Sequence, residues 1–170
     1  FKLMHENGVE GIQFGMGAVV MPAKVVRAHG ESVMDEDLDT ILEFVRPYKE
    51  AAEKYGVGFC QAHAPFPYPA KPEPYDEETM FFIRRSIEAA AILGASTIVV
   101  HGMQHLPYLK NKACLDELNY RMYQELIPLA RDNNIQICLE NLNQHDSNRN
   151  VGCIGVCCDP LDFCRQVDRL

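Results

Sequence analysis

Ser96-Thr97-Ile98-Val99-Val100-His101-Gly102 is the stretch on which the fold turns. Four successive β-branched residues read as a strand, and Gly102 ends it. On its N-terminal side lies a helical pattern, with Met80, Ile83, Ile87, Ala90 and Ala91 on one stripe and Gly94 as its stop. Asp76 is placed to cap that helix, with Glu77 and Glu78 at the positive end of its dipole and Tyr75 and Met80 spaced as a hydrophobic staple. On the C-terminal side, Leu118, Met122, Leu126 and Leu129 predict a helix from about Ala113 to Asp132, closed by Asn133-Asn134.

The same alternation extends both ways. Ile135-Gln136-Ile137-Cys138-Leu139-Glu140 reads as a further strand, Val57 to His63 as an earlier one, and Gly11 to Met16 as the first. A helix spans Asp35 to Tyr55, with Leu38, Ile41, Leu42, Val45, Ala52 and Tyr55 on its stripe, Gly56 as its stop, and a kink or two abutting helices expected at Pro47. Phe1 to Asn7 reads as a helix tail closed by Gly8. Asp159-Pro160 opens a last helix with Leu161, Cys164 and Val167 facing inward. Strands alternating with helices of this length mean βαβ units, right-handed crossovers and a parallel α/β sheet. No linker or low-complexity segment divides the chain, so residues 1–170 are expected to form a single domain.

Composition excludes several classes. The 170 residues are 47% hydrophobic and 24% charged, enough for a core. Sixteen Lys and Arg against 24 Asp and Glu give a net charge of −8, which opposes nucleic-acid binding and a polybasic membrane anchor. No stretch approaches the roughly 18 apolar residues of a membrane span, and no secretory signal is visible. The first residue is Phe1 rather than Met, so the chain reads as processed, trimmed or incomplete. Seven cysteines, an odd number, with Cys60 and Cys138 inside apolar runs, suit a reduced cytoplasmic protein in which thiols act as small hydrophobes. Cys153, Cys157, Cys158 and Cys164 lack the paired spacing of a structural zinc site. There is no glycine-rich dinucleotide fingerprint, no P-loop and no serine-hydrolase elbow.

The polar residues carry the functional signal. His63, His101 and Glu140 each end an apolar run, 38 and 39 residues apart, one βα unit each. Carboxyl ends of parallel strands share one rim, so the three are expected at one level around one mouth. Two imidazoles and a carboxylate form a ligand set for a divalent ion such as zinc, manganese or iron. The plainer alternatives are a hydrogen-bonded rim histidine and a Glu140 paired with Arg or Lys; an unpaired carboxylate beside a core strand is costly.

The segments Ala62-His63-Ala64-Pro65-Phe66, Val99-Val100-His101-Gly102 and Ile137-Cys138-Leu139-Glu140-Asn141-Leu142 resemble strand ends three, four and five of the xylose-isomerase-like TIM barrels. That superfamily contains sugar-phosphate isomerases and epimerases and the apurinic-site endonucleases. Asn7 to Phe14 resembles its passage from helix one to strand two. In the isomerase and epimerase branch the resemblance implies that Glu140 is a metal ligand facing the proton-transfer centre, with His63 and His101 on substrate or behind the ligands. In the endonuclease branch it implies zinc on His63 and His101, with Glu140 bridging ions. Gln13 departs from the family's frequent Glu at the end of strand two. A complete barrel needs about 250 residues, so the chain resembles a partial barrel lacking strand one and strands six to eight. Its open edges imply association with a second copy, another chain or the rest of its own polypeptide.

The expectation is therefore a metal-dependent sugar or sugar-phosphate isomerase/epimerase, transferring a proton next to a carbonyl through an enediolate. Glu140 is its catalytic group. Glu140, His101 and His63 are its metal ligands, and His63, His101, His105 and Asn141 its substrate contacts. The cofactor is a divalent ion, manganese, zinc, cobalt or magnesium; the partner is a small sugar or sugar phosphate, with no nucleic acid and no membrane. The rivals are a zinc-dependent apurinic-site endonuclease relative, a lyase or dehydratase on the same scaffold, and a non-catalytic half barrel that needs a partner. His145, Asp146, Asn148, Arg149, Phe66, Tyr68 and Tyr75 lie in loops over the mouth, read as solvated or as a packed lid. Arg84-Arg85 reads as a solvent face, and Tyr120 and Tyr123 as core or interface.

Overall fold

Four parallel strands form one sheet in chain order: β1 (Gly11–Gly15), β2 (Gly58–His63), β3 (Thr97–Val99) and β4 (Gln136–Cys138). The structure is a computed structural model that describes residues 1–16, 32–65, 77–103, 108–141 and 160–170. Among the described residues, five helices alternate with the strands: α1 (Lys2–Glu6), α2 (Leu38–Tyr55), α3 (Glu77–Leu93), α4 (Tyr108–Asp132) and α5 (Pro160–Arg169). This is the parallel α/β sheet that the alternating pattern predicts, in the partial-barrel form that the resemblance implies. Among the described residues no helix is long and apolar enough to cross a membrane.

The helix stops follow local chemistry. Gly56 and Gly94 take positive φ (63° and 86°), and Asn134 does the same at φ 56° beyond α4; glycine and asparagine tolerate that region best. α2 starts at Leu38 rather than at the expected Asp35, because Asp37 caps it by accepting from the Thr40 N–H (2.8 Å). The residues before it form a 3-10 turn (Val33–Asp35) closed by a Ser32–Asp35 capping box. The kink expected at Pro47 does not divide the helix, which runs from Leu38 to Tyr55 as one element. Pro47 is exposed, so water can reach the carbonyl one turn earlier that it cannot bond. Backbone angles leave the helical region at Asn111, so the regular part of α4 begins near the expected Ala113.

Alternation along the strands splits the sheet into two unlike faces. Phe14, Ala62, Ile98 and Val100 are buried in the core shared with Ile41 and Val45 of α2, Ile83 and Ile87 of α3, and Met122 and Leu126 of α4. The opposite face carries Gln13, Gln61, Thr97 and Gln136, all partly or fully exposed. A bulge in β2 keeps the split intact. Ile12 pairs with Phe59 and Gln13 with Gln61, so Cys60 is the extra residue. Its side chain is exposed and its Sγ lies 3.3 Å from the Ile12 carbonyl; it is not the buried small hydrophobe expected from its apolar surroundings.

Three other expectations are corrected. Leu38 is 42% exposed and does not share the buried stripe of Ile41, Val45 and Ala52. Leu161, Cys164 and Val167 face outward, because α5 meets α4 through its polar side. Asp162 pairs with Lys112, Gln166 bonds Asp116, and Arg169 bonds Glu117 (2.6 Å) while stacking on Tyr120. Those positions form a helical stripe of their own. Arg84 and Arg85 are not a solvated face. Arg84 joins Glu125 of α4 (2.6 Å), and Arg85 joins Glu88 (2.9 Å) and the Glu36 carbonyl.

Candidate metal centre

The strand register explains how three distant residues meet. His63 pairs with Val99, and Val99 with Cys138. His101 and Glu140 lie two residues beyond those partners, so alternation puts them on the same face as His63. The three are staggered rather than level, with His63 one pleat lower. The difference is the length of β3 and β4, which stop before the two functional residues while β2 runs to His63.

The side chains converge. His101 Nε2 lies 3.0 Å from His63 Nε2, and one Glu140 oxygen lies 3.5 Å from His101 Nε2 and 3.7 Å from His63 Nε2. The point equidistant from those three atoms is about 2.0 Å from each, the length of a zinc–imidazole or zinc–carboxylate bond. His63, His101 and Glu140 are thus a donor set of the right chemistry around a space of the right size.

Their environments differ. His101 is 1% exposed, and its pKa is held below the ordinary histidine value, first by burial and then by His63, with Glu140 opposing. A neutral imidazole is the form that binds a metal. His63 Nδ1 lies 2.8 Å from the Ala64 carbonyl, which can only accept, so Nδ1 carries the proton and Nε2 turns its lone pair toward the centre. The Glu140 side chain is half exposed. Among the described residues its charged neighbours are the two imidazoles.

Asn141 is exposed beside Glu140. His105 lies outside the described residues, as do the mouth-loop positions His145, Asp146, Asn148, Arg149, Phe66, Tyr68 and Tyr75, the cap Asp76, and Cys153, Cys157 and Cys158.

Three hydrogen bonds from α4 to the backbone on either side of His101 are not foreseen from the sequence. Asn119 is fully buried on α4; its Oδ1 accepts from the Met103 N–H and its Nδ2 donates to the Met103 carbonyl (3.2 Å). Tyr123, one turn further on, donates its hydroxyl to the Val100 carbonyl (2.8 Å). The available signal is a lone Asn among Leu115, Leu118 and Met122 on the apolar stripe of α4.

A parallel α/β sheet with a cation-sized cluster at the carboxyl ends of its strands defines an enzyme-like partial TIM barrel. The family model of the xylose isomerase-like TIM barrel matches residues 1–169, and the chain belongs to that family. No curated protein matches the sequence significantly. Among solved structures, a D-psicose 3-epimerase crystallised in the presence of D-fructose superposes with TM-score 0.66 at 15% identity, over 99% of this chain and 52% of that one. A D-tagatose 3-epimerase-like protein gives TM-score 0.58 at 21% identity, over 95% of this chain and 61% of that one. A xylose isomerase domain protein from Planctomyces limnophilus gives 0.55 at 12%, over 86% and 50%. At these identities the likeness is one of fold. The chain spans between half and two thirds of the length of these structures.

Proposed function

We propose that this chain carries the metal-holding rim of a sugar or sugar-phosphate isomerase/epimerase that transfers a proton next to a carbonyl. The observation that carries the reading is the triangle of His63 Nε2, His101 Nε2 and a Glu140 oxygen, with sides of 3.0, 3.5 and 3.7 Å. Membership of the family and the likeness to epimerase structures support a sugar as the substrate class. His63, His101 and Glu140 would hold a divalent ion, whose Lewis acidity would make the C–H next to a sugar carbonyl more acidic. Two nitrogen donors favour zinc, cobalt or manganese over magnesium, which prefers oxygen.

The chain's own residues do the rest. Burial keeps His101 neutral, and the Ala64 carbonyl fixes the His63 tautomer. Glu140 reaches the imidazoles from the open side of the site, where its carboxylate can meet a bound sugar and hold a proton. Asn141, exposed next to it, and His105, four residues after His101 in the sequence, are the proposed sugar contacts. The opposing base is assigned to the remainder of the barrel, in a longer chain or a partner, as one domain with residues 1–170.

Titrating the chain with cobalt(II) should show one ion per chain. Glu140→Gln should weaken that affinity by at least about 10-fold, the loss seen even when only a ligand's hydrogen-bond partner is removed, and should abolish ketose epimerisation in the assembled enzyme. A Glu140→Gln variant with normal affinity and turnover overturns the assignment. The two-histidine set also suits a zinc-dependent apurinic-site endonuclease. The net charge of −8 counts against it, and salt-sensitive nicking of abasic DNA would be its mark.

A further inference from the structure

We propose that Asn119 and Tyr123 are positioning residues that hold His101 in place against His63 and Glu140. The inference goes beyond the proposed function and rests on it only for the role of His101 as a ligand.

β3 ends at Val99, so the chain that carries His101 leaves the sheet just before the residue that must be placed most accurately. The last sheet-like bond runs from the Val100 N–H to the Cys138 carbonyl (3.1 Å). Beyond it, α4 takes over the work of a neighbouring strand. Tyr123 takes the Val100 carbonyl, and Asn119 takes both the N–H and the carbonyl of Met103. The two side chains are four residues apart on one helix face. They grip the chain one residue before His101 and two residues after it. A four-residue span pinned at both ends has little freedom to swing the imidazole between them.

Gly102 completes the device. A Cβ there would lie 3.2 Å from three atoms of the Asn119 amide, so a larger residue would make the amide give way by a few tenths of an ångström. A fully buried Asn is an expensive choice on an apolar stripe, where leucine would pack without polar partners. Its amide has the acceptor and donor needed to answer both backbone groups of Met103, which an apolar residue cannot do.

The test compares Asn119→Ala and Tyr123→Phe with Ser86→Ala. Ser86 is equally buried, donates to the Phe82 carbonyl (2.7 Å) within α3, and serves as a control for lost stability alone. The first readout is metal-free. At a fixed, mildly alkaline pH the imidazole resonances of His63 and His101 should shift or broaden in the two α4 variants and stay in place in the control. Exchange of the Met103 amide should also accelerate in Asn119→Ala. The second readout is cobalt(II) affinity, expected to fall about 10-fold in each α4 variant and to hold in the control. Unmoved ring resonances in both α4 variants, with stability alone reduced, overturn the proposal. A wild-type chain that binds no cobalt defeats the metal reading, and the ring resonances still decide the role of Asn119 and Tyr123.

Discussion

The two faces of the sheet are built from alternate residues of the same four strands, yet they obey different rules. On the helix side, Phe14, Ala62, Ile98 and Val100 are buried among apolar neighbours. On the other side, Gln13, Gln61 and Gln136 share the surface with His63, His101 and Glu140. The first face fixes where the strands lie. The second uses those positions to bring together groups that have no sequence proximity. A one-residue slip in β2, β3 or β4 would exchange the faces for that strand, placing its ligand in the apolar core and its core residue in the mouth.

The sharpest break in that comparison comes from the helix side. Ile98 is fully buried, so Ile98→Ala should cost about 2–5 kcal/mol in unfolding free energy. Because its side chain points away from the cluster, cobalt affinity of the folded protein should change by no more than a few-fold. Denaturant unfolding and metal titration of the same samples measure both quantities. A large loss of affinity without loss of stability would mean that the two faces are not separable.

Most of this division was legible in the sequence, because it rests on local rules. β-branched runs, glycine stops at Gly56 and Gly94, and one βα unit between successive rim residues suffice to place His63, His101 and Glu140 on one rim. The stagger of His63 was not legible, since it depends on where β3 and β4 stop pairing. Nor was the outward face of α5. Its apolar spacing at Leu161, Cys164 and Val167 is as regular as any buried stripe, and the polar matches to α4 that override it join residues about fifty positions apart. The buried role of Asn119 escaped for a related reason. Its value lies in answering the Met103 backbone, and a sequence does not show which backbone groups lack a strand partner.

A smaller effect probes the site face through pH. Burial, then His63, hold the pKa of His101 below its ordinary value, so the unfolded chain takes up that proton before the folded protein does. Between the ordinary histidine value of about 6.5 and the lower folded value, the unfolded state binds more protons. Stability of the metal-free protein should therefore be level above that range and fall as pH drops through it. His101→Gln should flatten the fall, measured as denaturation midpoint against pH. An unchanged slope in that variant would mean that another group carries the acid sensitivity.

The smallest expected effect is the most informative about the open face. Gln136 is exposed on β4, which pairs only with β3 among the described strands. If water covers this face in solution, Gln136→Leu should alter stability by no more than about 0.5 kcal/mol, the usual range for an exposed site. A sheet whose edge strands pair on one side only among the described residues has reason to associate, however, and a second chain or further strands laid against it would bury Gln136. The same substitution would then shift stability by more than about 1 kcal/mol, as changes at buried positions do, and would make unfolding depend on protein concentration if the cover is a second copy. Sedimentation of the wild type and the variant alongside the unfolding curves separates the cases. A monomer with an insensitive Gln136 means that the ligand trio stands open as it is. A concentration-dependent response means that the mouth is completed by association, and the rest of the site should be sought on the partner.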